Sequence, residues 1–181
     1  VARADTSAVS FDTSYYWIRG WGPGVFGWEF TPRSNIEVTA LGLYDGPDST
    51  LGRVPGDGLL ETHAIGIWNV IDRSNPVTSS LIPSGTVAPL ANGFRYVSIN
   101  PLTLTAGNNY VIGVLNSYIT NSSGVQVATD FTVGETSNPT FTLSVSPQID
   151  FIGRRSVRST TLVFPDNFQP GVLGDFGPNF S

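Results

Sequence analysis

PLANGFRYVSINPLTLTAGNNYVIGVLN, residues 89–116, is the stretch that decides the fold. Phe94, Tyr96 and Ser98 fall on one side of an extended run, and Arg95, Val97 and Ile99 on the other, the period of two that belongs to a strand. Asn100-Pro101 is expected to break the run, because the residue before a proline is pushed out of the helical region and proline has no amide for a ladder. A second short run over 102–104 leads into Ala106-Gly107-Asn108-Asn109, whose Gly and Asn accept positive φ cheaply, and the chain returns over 110–115. The stretch therefore reads as a β-hairpin or meander with one buried face.

The same period recurs on both sides of it. Residues 25–31 alternate strictly, with Phe26, Trp28 and Phe30 facing one way and Val25, Gly27 and Glu29 the other, as a half-buried strand does. Residues 36–44 alternate until Gly42 permits a bulge, and 11–19, 63–70 and 77–82 are further strands. So are 125–133, 140–146, 149–157, 160–164 and 172–180. No helical period lies between them. Many short strands with frequent turns predict an all-β fold, a two-sheet antiparallel β-sandwich of jelly-roll or related Greek-key type. Residues 11–181 read as a single domain, and 1–10 as a flexible or strand-donating arm.

Composition narrows the function classes. Only 13% of residues are charged, Gly and Pro are abundant, Cys and Met are absent, and all nine basic residues are Arg. A net charge of -5 with a pI near 4.6 argues against nucleic acid, which calls for a basic stripe. No apolar run approaches the ~20 residues of a spanning helix, so no transmembrane segment is expected. A start at Val1 without an initiator Met leads us to expect a processed N-terminus, with a secretory signal removed and an extracellular location.

The succession GWEFTPRSNIEVTALGLYD (27–45), PGDGLLETHAIGIWN (55–69), NGFRYVSINPLTLTAGNNYVIGV (92–114), IDFIGRRSVRSTTLVFP (149–165) and GDFGPNF (174–180) resembles a family of secreted bacterial proteins of unknown function. Members of that family usually end in a PEP-CTERM-type sorting tail. The resemblance spans roughly residues 25–180 and implies export, an extracytoplasmic setting and a β-sandwich. It implies no catalytic residues. This sequence departs from that pattern after Phe180-Ser181, where no Pro-Glu-Pro element follows: either the tail has been removed or the protein never carried one, and surface anchoring stays open.

Four sets of residues are candidates for chemistry. Asp45, Asp48, Asp57 and Glu61 place oxygen ligands in one long Gly-rich loop, and Ca²⁺ takes six to eight oxygens; Asp-Gly pairs are also plain turn formers. His63 is the single histidine, so a Ser-His-Asp arrangement would run through it with Glu61 or Asp57 as orienter, yet no G-x-S-x-G elbow is present. Tyr15, Tyr16, Trp17 and Trp21 form an aromatic cluster beside a Gly-Pro turn, a surface suited to stacking on sugar rings, with core packing as the alternative. Arg154, Arg155 and Arg158 are the one basic cluster, able to meet an anionic polysaccharide or to serve as a solvated strand face.

Self-association is the fifth theme. Sheet edges invite another chain unless charges blunt them, and this chain has few charges and no Lys. The arm (Val1, Ala2, Arg3, Ala4, Asp5 and Val9) and the segment from Phe176 to Phe180 read as extended pieces free to add a strand to a neighbour. The expectation is a non-enzymatic extracellular structural or matrix protein that assembles into filaments by strand exchange. The alternative is a carbohydrate-binding module with a structural Ca²⁺.

Overall fold

The computed structural model describes residues 7–11, 23–47, 53–120, 126–128, 130, 143–171 and 175–181. Among these the chain forms β1 (Val9–Phe11), β2 (Gly24–Pro32), β3 (Ile36–Tyr44), β4 (His63–Asn69), β5 (Thr78–Ile82), β6 (Leu90–Ala91) and β7 (Phe94–Leu104). It continues with β8 (Tyr110–Asn116), β9 (Tyr118–Thr120), β10 (Gln126–Ala128), β11 (Leu143–Val145), β12 (Ile149–Arg158), β13 (Asn167–Pro170) and β14 (Pro178–Phe180), and the described residues contain no helix. A six-stranded sheet runs β13-β12-β2-β8-β4-β5 and a four-stranded sheet runs β14-β3-β7-β6. Every pairing is antiparallel, and most neighbours are distant in sequence, as Greek-key connections require. The expected two-sheet antiparallel β-sandwich is what the chain builds. Two small pairs, β1-β11 and β9-β10, complete it, and the large sheet curls until β5 lies against β7.

The core forms where the inner faces of the two sheets meet. Trp28 and Phe30 of β2, Leu41 and Leu43 of β3, Ile65 and Ile67 of β4, and Ile112 and Val114 of β8 are all excluded from solvent. Phe176 and Phe180 drive into this layer from the end of the chain: Phe180 stacks on Trp28 at 6.0 Å and meets Phe30 at 4.9 Å. Burying side chains of this size contributes about 1.5–3 kcal/mol each.

Four expectations need correcting. Val9, Phe176 and Phe180 are not uncommitted, since all three are buried in this molecule's own core. The Asn179 carboxamide clamps β1 by accepting from the Val9 amide at 3.1 Å and donating to the Val9 carbonyl at 2.8 Å. The free edge of β14 is also used up: Ala8 N–H donates to the Phe180 carbonyl, Trp28 Nε1 donates to the Pro178 carbonyl, and Phe180 N–H donates to Asn179 Oδ1. Val1, Ala2, Arg3, Ala4 and Asp5 lie outside the described residues.

The second correction is at Pro101, which does not end its strand. β7 runs through it because β6 covers only Phe94 and Arg95, so the missing amide falls where no ladder asks for it. Thirdly, the bulge of β3 lies between Val38 and Ala40, not at Gly42, and Thr39 and Ala40 there both donate to the Ser181 carbonyl. Gly42 instead makes room for the Tyr96 ring, which an added Cβ would meet at 2.5 Å. Lastly, β2 is buried on both faces, because Val25 packs with Trp68, Val111 and Phe164 on the outer side of the sheet.

Phe180→Ala is expected to lower the unfolding free energy by about 3–5 kcal/mol, the cost of a large cavity in a packed core. Chemical denaturation of variant and parent measures it.

Candidate functional site

Strand period splits the arginine trio. Arg155 points to the outer face, where it is buried against Glu29 (Nε to Oε2, 2.7 Å) and lies over the rings of Phe164 and Phe168 at 5.5 and 4.3 Å. Arg154, Ser156 and Arg158 take the opposite face. Residues directly paired across an antiparallel ladder share a face, so the register fixes their company. Arg154 sits between Trp28 and Gln169, and Ser156 between Phe26 and Asn167. Arg158 pairs with Gly24, which pairs in turn with Asn116 of β8. The inner face of the six-stranded sheet, apolar at Trp28 and Phe30, thus becomes polar toward the start of β2.

Two cavities open at this end. One, of about 270 Å³, is lined by Phe26, Arg154, Ser156, Val157, Arg158, Asn167 and Gln169. The other, of about 330 Å³, is lined by Pro23, Leu115, Asn116, Ser117, Tyr118 and Thr160. Gly24 stands between them in register, and a Cβ there would meet the Val157 carbonyl at 2.5 Å and the Phe26 ring at 3.1 Å. The Asn116 side chain is fully buried, yet among the described residues neither its Nδ2 nor its Oδ1 has a hydrogen-bond partner. Such an orphan amide forfeits about 1–3 kcal/mol until a bound hydroxyl or water satisfies it.

The electrostatics of this end centre on Arg154. Its Nε donates to Asp175 Oδ2 at 2.8 Å, and Asp175 is buried. Burial pushes the Asp175 carboxyl up to about 6 against the opposing pull of the Arg154 guanidinium. Arg158 is exposed and makes no ion pair among the described residues.

A second polar cluster surrounds His63. Its Nε2 lies 2.9 Å from Asp130 Oδ2 and its Nδ1 lies 3.0 Å from the Leu115 carbonyl, so both ring nitrogens face oxygen acceptors. The same Asp130 oxygen accepts from the amides of Leu60 and Glu61. Neither Glu61 nor Asp57 orients the ring, which corrects that expectation. Ser117, the nearby hydroxyl, donates to Glu61 instead. With both nitrogens engaged, His63 ties β4 to the backbone of β8, and among the described residues no hydroxyl bonds to it.

The acidic loop does not gather at one point. Asp45 is buried against Arg95 (Nε to Oδ2, 2.7 Å) and accepts from the Gly58 amide; Arg95 also donates to the carbonyls of Gly56 and Ala88. Asp57 takes the Arg53 guanidinium, whose hydrogen bonds hold its carboxyl below the usual range. Glu61 goes to Ser117. Asp48 lies outside the described residues, as do Tyr15, Tyr16, Trp17 and Trp21. No group of three His, Cys, Asp or Glu fit to hold a metal occurs among the described residues.

Asn116, Gly24, Ser156, Asn167 and Gln169 were not expected to matter, because only cross-strand register brings them together, and Asp130 and Asp175 reach His63 and Arg154 from loops remote in sequence. The chain matches no protein-family model, no curated protein and no solved structure. Function must therefore be read from the geometry.

Asp175 supplies a pH dependence with a definite sign. Its folded carboxyl titrates near 6 and its unfolded one near 3.8, so between those values the folded state keeps a proton the unfolded chain has lost, and stability falls as pH rises through that window. Relative to Asp175→Asn, the parent is expected to lose about 2–3 kcal/mol of unfolding free energy between pH 4 and pH 7. Denaturant titrations of both proteins across that range check it.

Proposed function

We propose that this chain is a non-enzymatic extracellular β-sandwich that holds carbohydrate at the polar end of its six-stranded sheet, in the manner of a matrix-binding protein. The row Asn116–Gly24–Arg158 carries the reading. It places a buried amide, without a partner among the described residues, and an exposed arginine on backbones about 10 Å apart, two strand spacings, with a glycine between them. Sugar hydroxyls are both donors and acceptors, and a carboxamide offers one site of each kind. Asn167, Gln169 and Ser156 add hydrogen-bonding groups, while Phe26 supplies an apolar wall.

The engagement of both His63 nitrogens supports a role without catalysis, and the resemblance to secreted bacterial proteins supports the extracellular setting. A polysaccharide array with the purified protein tests the reading. Retention on at least one glycan, weakened tenfold or more by Ser156→Trp, which fills the groove, is expected. An array blank for the parent ends the proposal.

Self-association is a second reading, favoured by one edge. Val70 N–H donates to Asn109 in continuation of the β4-β8 register, so the even residues of β4 bond β8 and the odd ones bond β5. Thr78, Ser80 and Ile82 therefore bond inward, which leaves the amides and carbonyls of Ser79 and Leu81 open among the described residues. The strand has no charge, and the Leu81 side chain is 63% exposed. Sedimentation at high concentration is expected to show association that Leu81→Lys removes; one monomeric species at every concentration excludes this edge as an interface.

A further inference from the structure

The ligand of the polar end can be narrowed, on the reading that it takes carbohydrate. We propose that it is an acidic glycan, a uronate whose carboxylate is held by Arg158 and Arg154 while its ring hydroxyls meet the amides of Asn167 and Gln169. The guanidinium groups decide this. Arg154 and Arg158 lie on one face of β12, at alternate positions on either side of Ser156, and both line the same groove. Among the described residues Arg158 has no hydrogen bond or ion pair, and Arg154 spends only its Nε on Asp175, leaving both Nη groups to donate. Two such forks lining one groove suit the planar, bidentate geometry of a carboxylate and are surplus to what hydroxyl groups need. The chain as a whole carries -5, so this pairing is a local exception to an acidic molecule.

The buried carboxylate behind Arg154 adds a pH response. Asp175 is the charged group facing it; β2 places Trp28 and Phe26 alongside, and β13 places the uncharged Gln169. Arg158 is the other charge on this face of β12. As pH falls through about 6, Asp175 takes up a proton, and the Arg154 charge is left to the ligand. A uronate, ionised down to about pH 4 as carboxylates ordinarily are, should then bind more tightly at pH 5 than at pH 7.5.

Calorimetric titration with oligogalacturonate, a neutral oligoglucan and dextran sulfate tests the proposal. Arg158 is exposed at the end of its strand, so Arg158→Gln and Arg158→Lys leave the core intact. Oligogalacturonate is expected to bind, at least tenfold more weakly in Arg158→Gln and with partial retention in Arg158→Lys, and several-fold more tightly at pH 5. Equal binding of the neutral oligoglucan overturns the acidic ligand and leaves the carbohydrate reading standing. Equal binding of dextran sulfate, or oligogalacturonate binding unmoved by Arg158→Gln, also overturns it. Silence from all three probes overturns this inference, and a blank array besides removes the reading beneath it.

Discussion

Closure of the two sheets depends on aromatic contact across the sandwich, with Phe180 and Phe176 seated on Trp28 and Phe30. β2 supplies one half of that contact and lies centrally in the six-stranded sheet; β14 supplies the other and forms an edge of the four-stranded sheet. The three hydrogen-bonded residues of β14 would make a weak strand alone. The rings hold it, and the Asn179 carboxamide then ties β1 to it. Beyond Trp28 the inner face keeps Phe26 on β2, but β12 and β13 set Arg154, Ser156, Arg158, Asn167 and Gln169 beside it, and that polar company makes the groove.

A chain with so few charges spends several of them inside. Arg155 with Glu29 and Arg95 with Asp45 are buried pairs, each with further hydrogen bonds to backbone or amide groups. Such pairs add little net stability over apolar packing, but removing one partner strands a charge, so they fix which loop lies where. Arg95 does this for the turns around Gly56 and Ala88. The sheet edges are protected without lysine: the outward position of β13 after Phe168 is Pro170, and Pro178 likewise has no amide to offer at the edge of β14. Among the described residues, prolines thus blunt the edges of β13 and β14, while Ser79 and Leu81 leave the edge of β5 open.

Period-two patterning at residues 25–31 and 94–99 was enough to read the architecture, because side-chain alternation is a local property of extended backbone. Asn92 and Gly93, both at positive φ, make the tight turn into β7 that their residue types favour. Burial of the outer face of β2 was not legible, since the covering residue Phe164 is far away in sequence and nothing local to Val25 announces it. The candidate site shows the same limit. Arg154 and Arg158 stood out as charges, whereas Asn116 and Gly24 have no local signature and acquire meaning only when β8, β2 and β12 lie side by side. His63 was visible, but its partner Asp130 was not, because the contact joins positions remote in the chain.

The central position of β2 also governs the order of events in folding. Its neighbours β8 and β12 come much later in the chain, and its inner-face partner β14 later still. While the polypeptide emerges from a ribosome, Trp28 and Phe30 must wait, uncovered, for most of the sequence to arrive. Contacts of such long sequence separation make folding slow, so the sandwich closes only once the last strand has arrived to cover β2.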